Sequence, residues 1–222
     1  MIRATVSADI VRSTSLDKKS FILMQEHLHE YLAVIEKRFP GCWGRLVRGD
    51  CLECVLDNAK LALRLALMLK CYVKAFNMKT DMFVNARFGP RSFFNRYGVR
   101  ISIGLGDLRT NDRTHGIIDG SAIYNSGRSL DSMSTRMRTN IVVSGGESTI
   151  IKMVQTIAAL SDIILTRASS RQCEVLYMRM LGMSELEIAH TICVTQVAVN
   201  ALLRRAGWYA LEEAIDTFEE VI

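Results

Sequence analysis

Residues 43–56 read WGRLVRGDCLECVL, two strand-like halves with a glycine between them. WGRLVR and CLECVL predict paired strands, and Gly49–Asp50 predicts a two-residue turn of the glycine-first type. This hairpin anchors the fold class, because the flanking segments can be arranged around it as one sheet. Upstream, Ala4, Val6, Ala8 and Ile10 alternate with Thr5, Ser7, Asp9 and Val11. That spacing is a strand with Asp9 on one face near its C-terminal end. Ser13, Thr14 or Ser15 can then cap a helix from about Leu16 to Phe39, which Pro40–Gly41 stops.

Downstream, Ala59 to Met78 predicts a strongly apolar helix, and residues 79–98, with Gly89, Pro90 and Gly98, predict a long basic loop. VRISIGLG, residues 99–106, alternates as a second clear strand. A polar connection runs to Asp119–Gly120, where a helix begins. NIVVSG is a short strand, and Ser148 to Leu165 a helix leading to the tail. The order β-α-β-β-α-β-α-β is that of an α+β sheet domain. The expected division is a sheet domain over 1–146, a connecting helix over 147–169 and an all-α domain over 170–222.

Composition narrows the class. Hydrophobic residues make up 49% and charged residues 23%, the balance of a globular chain. The opening MIRATVSADIVRSTSL builds no apolar signal core, and the best apolar run, near Leu61 to Leu69, contains Arg64. A cytoplasmic protein with no membrane partner is expected, its six cysteines reduced. Cys51 and Cys54 form a CxxC without a second ligand pair, and positions three apart on a strand face opposite ways, so they read as structural thiols.

Net charge is +5, yet residues 166–222 carry five Lys/Arg against eight Asp/Glu. The basic surplus belongs to the front, where Arg87, Arg91, Arg96, Arg100, Arg109 and Arg113 suit a phosphate ligand or a nucleic-acid backbone. They serve equally as a solvated basic face.

The tail has its own logic. Ser184 can cap a helix, SELEIAHTI, and a brief turn through Cys193–Val194 leads to Thr195, which can cap QVAVNALLRRAG. Small Ala189 permits the close crossing of a helix-turn-helix. The last helix then presents Gln196, Val197, Asn200 and Arg204 outward. Gln and Asn pair with adenine and Arg with guanine, while Thr195 and Arg205 suit phosphates. Double-stranded DNA is the expected partner; a three-helix interaction module is the other reading.

ADI at the end of a strand, followed far downstream by a GD hairpin, resembles class III nucleotidyl cyclases. The resemblance implies that Asp9 and Asp50 hold Mg or Mn over a nucleotide, with Ser13, Thr14 and Ser15 presenting amides to a phosphate. It implies for Arg128, eight residues after Gly120, the place of a transition-state arginine. The sequence departs where that chemistry is done: Tyr124 stands at the asparagine position, with Asn125 one residue on, and Leu46 at the purine-contacting lysine, beside Arg45.

ADIVRSTSL, VRGDCLECVL, VRISIGLGDL, DGSAIYNSGRSLD and EIAHTICVTQVAVNALLRRAGW together resemble the SatD family. That resemblance implies a cyclase-like domain followed by a C-terminal helix-turn-helix, without the catalytic asparagine. Ser121, Tyr124 and the 79–98 segment depart from it. Three functions follow as expectations. One is a DNA-binding transcriptional regulator whose front domain binds a nucleotide without turnover. The second is an active metal-dependent cyclase with a DNA-binding tail. The third is a regulator whose front domain is only a dimerisation scaffold. A two-fold homodimer suits both halves of the chain.

Overall fold

β1 (Arg3–Ile10) is the central strand of a five-stranded sheet, flanked by β3 (Cys51–Leu56) and β4 (Val99–Gly106). The computed structural model describes residues 2–76, 78–84, 89–133 and 139–222. β2 (Cys42–Val47) pairs beyond β3, and β7 (Ile141–Ser144) beyond β4, giving the order β2-β3-β1-β4-β7. The first four strands are antiparallel, and β7 runs parallel to β4. α1 (Lys18–Arg38) follows β1 and α2 (Ala62–Ala75) follows β3, so the chain makes a ferredoxin-like β-α-β-β-α-β unit. The α+β expectation therefore holds.

Period-two alternation sets the faces of the sheet. Ala4, Val6, Ala8 and Ile10 join the large core with α1 and α2. Thr5 and Ser7 point the other way and bond to α4 (Ser121–Ser132), the crossover helix before β7. Thr5 Oγ1 donates to Ala122 O at 2.9 Å, and Ser126 Oγ lies 2.8 Å from both Thr5 Oγ1 and Ser7 Oγ.

Several local expectations are corrected. The hairpin tip is a three-residue loop, since Val47 pairs with Cys51. Arg48 and Gly49 both take positive φ there, and Ile10 N bonds to Asp50 O at 3.2 Å, drawing Asp50 to the end of β1. α1 is capped by Asp17, whose carboxylate accepts from Lys19 N and Ser20 N. Ser13–Ser15 instead form a separate 3-10 turn after Arg12, which has φ 62°. Within the expected loop, Pro90 opens α3 (Pro90–Tyr97), and Gly89 and Gly98 bound it. A proline at a helix start supplies a fixed φ and lacks only an N–H that would be unpaired there. Arg87 falls outside the described residues. The polar connection after β4 contains a small hairpin, β5 (Thr110–Asp112) and β6 (Ile117–Asp119).

α2 is buried nearly all round, including Lys70 and Lys74. Lys70 ion-pairs with Asp162 of α5 (Thr149–Arg167), and Lys74 donates to Leu165 O. Asp162 also accepts from Asn140 N at 2.8 Å. One core continues from the sheet through α2 into α6 (Ser170–Met180), α7 (Glu185–Thr191), α8 (Gln196–Arg205) and α9 (Trp208–Val221). α5 is the one described helix long and apolar enough to cross a membrane by length and composition. Its Val154, Ala158 and Leu165 are buried in the same core as the sheet.

The crossover helix lies so close to β4 that a side chain on Gly104 has no room. A Cβ there would sit 2.5 Å from Ser126 N and closer still to Ala122 O. Gly127, by contrast, has nothing within 4 Å of an added Cβ. Gly104→Ala should therefore cost about 3 kcal/mol, since backbone must shift to admit the methyl. Gly127→Ala, inside α4, should stabilise by about 0.5–1 kcal/mol. Urea unfolding of the two variants checks both signs.

Candidate functional site

Strand register builds the site. Asp9 is the direct cross-strand partner of Cys51 on β3 and of Arg100 on β4, so the three side chains stand in one row. That row continues the face of Thr5 and Ser7. The hairpin tip brings Asp50 beside it. One ligand atom each from Asp9, Asp50 and Cys51 lie within 4.8 Å of one another, all partly buried.

Each group has a specific partner. Arg100 clasps Asp9 Oδ2 with Nη2 and with Nε at 3.1 Å, and its Nη1 donates to Met133 O at 2.9 Å. Ser13 Oγ donates to Asp50 Oδ2 at 2.6 Å. Cys51 Sγ lies 3.8 Å from Asp9 Oδ1 and 3.7 Å from Asp50 Oδ1. Burial, then the adjacent Asp50 and Asp9 carboxylates, push the Cys51 thiol up to about 12.

Two carboxylates that close repel unless a cation intervenes, and Arg100 already supplies one positive charge. The donor set suits a hard divalent cation through Asp9 and Asp50, whose oxygens match Mg or Mn. The Cys51 sulfur is a soft donor and matches such a hard ion less well than the two carboxylates do.

The other expected site residues distribute differently. Ser13 reaches the cluster through Asp50, but the amides of Ser15 and Leu16 are spent inside the 3-10 turn on Arg12 O and Ser13 O. Thr14 is exposed and Ser15 half-buried. Arg128 is exposed on α4 with its Cζ 5.6 Å from the Tyr124 ring centroid, and among the described residues no hydrogen bond joins it to Asp9 or Asp50. Tyr124 Oη donates to Asp119 Oδ1 at 2.8 Å. Asn125 does not substitute for the missing asparagine, because its Nδ2 donates to Leu105 O at 2.9 Å. Arg45 is bound to Glu53 and to Gly116 O, so it does not replace the lysine absent at Leu46.

Half of the basic set is neutralised within the fold: Arg100 by Asp9, Arg109 by Asp119 and Arg113 by Glu36. These three are thereby less available to a phosphate than the sequence alone suggests. Sequence reasoning set Cys51 aside as structural and did not pair Arg100 with Asp9. Residue identity carried no signal for either, since both follow from which strands become neighbours.

In the tail, Ser184 and Thr195 cap their helices as expected, accepting from Glu187 N and Ala198 N. α7 and α8 meet at 108° across residues 192–195, with Cys193 at φ 54°. Gln196, Val197, Arg204 and Arg205 are exposed. Asn200 is not free on that surface, because its Nδ2 donates to Glu185 Oε1 at 3.1 Å.

No protein family and no curated protein matches the sequence. Among solved structures, two of a bacterial light-regulated adenylyl cyclase align over 64% of this chain, at 12% and 11% identity with TM-scores of 0.43 and 0.41. The guanylyl cyclase Cya2 aligns over 64% of this chain and 74% of its own, at 10% identity with a TM-score of 0.40. The chain spans 43% and 42% of the two light-regulated cyclase chains.

The raised thiol makes a chemical prediction. Burial and the two neighbouring carboxylates disfavour the Cys51 thiolate at pH 8, and the thiolate is the form that alkylates. Brief iodoacetamide treatment of the folded protein should label the exposed Cys193 and leave Cys51 unmodified by mass spectrometry. Equal labelling of both would contradict the environment described for Cys51.

Proposed function

We propose that the protein is a DNA-binding transcriptional regulator of the SatD type, with a cyclase-like front domain that holds a nucleotide without turning it over. The observation that carries the DNA reading is the capped α7–turn–α8 pair, whose 108° bend falls in the range of helix-turn-helix units. Gln196 and Arg204 on the exposed side of α8 suit base edges, and Thr195 and Arg205 suit phosphates. Asn200, tied to Glu185, orients the two helices and reads a base only if that bond is released.

In the front domain Asp9 and Asp50 would hold Mg or Mn, and the ion would neutralise the phosphates of a bound nucleotide. The absence of turnover follows from the residues around it. Asn125 and Arg45 are committed elsewhere, Leu46 offers no charge, and Arg128 rests on Tyr124. Donors aimed at a developing charge are what phosphoryl transfer requires.

A homodimer fits this reading, with α5 as the contact. Ile150, Met153 and Leu160 are exposed, and with half-buried Ile157 and Ile164 they repeat at three- and four-residue spacing. In an antiparallel pair centred on Gln155, Ile150 of one copy meets Leu160 of the other and Met153 meets Ile157, so this part of the stripe is complementary to itself.

Three results test these assignments. Arg204→Ala should weaken specific duplex binding by about 1–3 kcal/mol and relax preference at one base pair. Leu160→Asp should convert the dimer to monomer in sedimentation analysis. The purified chain with manganese and each nucleoside triphosphate should bind nucleotide but release no cyclic product. Robust product, lost in Asp9→Asn, would replace this reading with that of an active cyclase, which the proximity of Asp9 and Asp50 favours.

A further inference from the structure

A thiol carries one hydrogen, yet Cys51 Sγ faces a carboxylate oxygen on each side. It lies 3.8 Å from Asp9 Oδ1 and 3.7 Å from Asp50 Oδ1. Only one of these contacts can hold the S–H at a time, so the other sets a sulfur lone pair against an anion. The outer oxygens are already engaged. Arg100 holds Asp9 Oδ2 through Nη2 and Nε, and Ser13 Oγ donates to Asp50 Oδ2. Both Oδ1 atoms are thereby left facing the sulfur, in a cluster that is partly buried. Carboxylates that ligate a metal are oriented by outer hydrogen bonds in this way. Cys54, the other half of the CxxC, is buried in the core on the opposite face of β3 and takes no part.

The spacing discriminates between ions. Zinc holds sulfur at about 2.3 Å and carboxylate oxygen at about 2.0–2.2 Å in a tetrahedron, which sets the sulfur–oxygen edge at about 3.6 Å. Both distances at Cys51 come close to that edge. Magnesium keeps to oxygen ligands in an octahedron and does not recruit sulfur. Charge points the same way. A zinc ion with two carboxylates and a thiolate carries one net negative charge, which the Arg100 guanidinium cancels. A magnesium ion on the carboxylates alone would leave the partly buried cluster with a net positive charge.

We propose that Cys51 is a third metal ligand, and that the Asp9–Asp50–Cys51 cluster takes a thiophilic divalent ion, zinc in preference to magnesium. As the sulfur–zinc bond forms, the thiol proton leaves to solvent. Three protein ligands leave the fourth position of zinc open to a further ligand. Manganese, below zinc in its affinity for such donors, fits the same set more weakly. The inference rests on the reading of Asp9 and Asp50 as metal ligands and adds the identity of the ion.

The test is titration of the full-length apoprotein with cobalt, which takes the place of zinc and reports its ligands in the absorption spectrum. The expected result is saturation at one equivalent, with the strong visible bands of a tetrahedral ion and a sulfur-to-cobalt charge-transfer band. Zinc should bleach both, while about a thousandfold excess of magnesium leaves them standing. Cys51→Ser should remove the charge-transfer band and weaken zinc, read by competition, about a hundredfold. The same variant should keep its affinity for manganese in calorimetry, since the two carboxylates remain. Cys193→Ser, which removes the exposed thiol, should change nothing. The other four cysteines are buried, so a band that persists in Cys193→Ser reports Cys51 whether or not Cys51→Ser folds. A spectrum and a zinc affinity that survive Cys51→Ser but not Asp50→Asn would overturn the sulfur ligand and leave the carboxylates as a metal site. A charge-transfer band lost in Cys193→Ser would belong to the surface thiol and overturn the proposal likewise. Absence of binding by cobalt, zinc and manganese alike would overturn it together with the metal reading of Asp9 and Asp50.

Discussion

β1 is hydrogen-bonded along both edges and packed on both faces, and the rest of the molecule is fixed by that double constraint. One face carries Ala4, Val6, Ala8 and Ile10 into the core, and the other carries Thr5, Ser7 and Asp9. A one-residue slip would exchange the two sets, burying Asp9 under α1 and α2 and exposing four apolar side chains. Such a slip is excluded by the apolar face and by the bonds of Thr5 and Ser7 to α4. Once the register holds, Cys51 and Arg100 have no choice but to flank Asp9. The candidate site is thus a product of strand pairing rather than of a local motif.

A second constraint joins the halves of the chain. α2 carries two lysines into the interior, and each finds a partner on α5. An unpaired buried ammonium would cost several kcal/mol, so α5 is held in the position that supplies Asp162 and Leu165 O. Since α6 packs on the other side of α2, the sheet and the C-terminal helices share this helix as a common wall. The sheet and α8 thus belong to one continuous core that runs through α2 and α6, and the proposed ligand-dependent DNA binding would have to act through that packing.

Much of this was legible in the sequence, and the failures have causes. The alternation of residues 4–11 and 99–106, the apolar run of α2, the start of α5 at Ser148 and the caps at Ser184 and Thr195 all appear where local pattern places them. The proximity of Asp9 and Asp50 was also expected. Pro90 and its flanking glycines carry the local signals of a loop, although they bound a helix, because the same residues punctuate both. The three-residue hairpin tip was missed because Arg48 takes a positive φ that its identity does not announce. Asp17 displaced Ser13–Ser15 as the helix cap because its carboxylate takes two backbone amides at once. The commitments of Arg45, Arg100, Asn125 and Asn200 depend on partners 8 to 91 residues away, beyond any local pattern.

The central claim is that α8 reads DNA while the front domain reports a bound ligand to it. Its most direct test is selection of duplexes by the full-length protein from a random-sequence pool, run with and without nucleotide and manganese. The account predicts one enriched motif repeated as two half-sites, with an enrichment that changes when ligand is added. A selected pool indistinguishable from the input under both conditions would contradict it, and would leave α7 and α8 as a protein-binding unit.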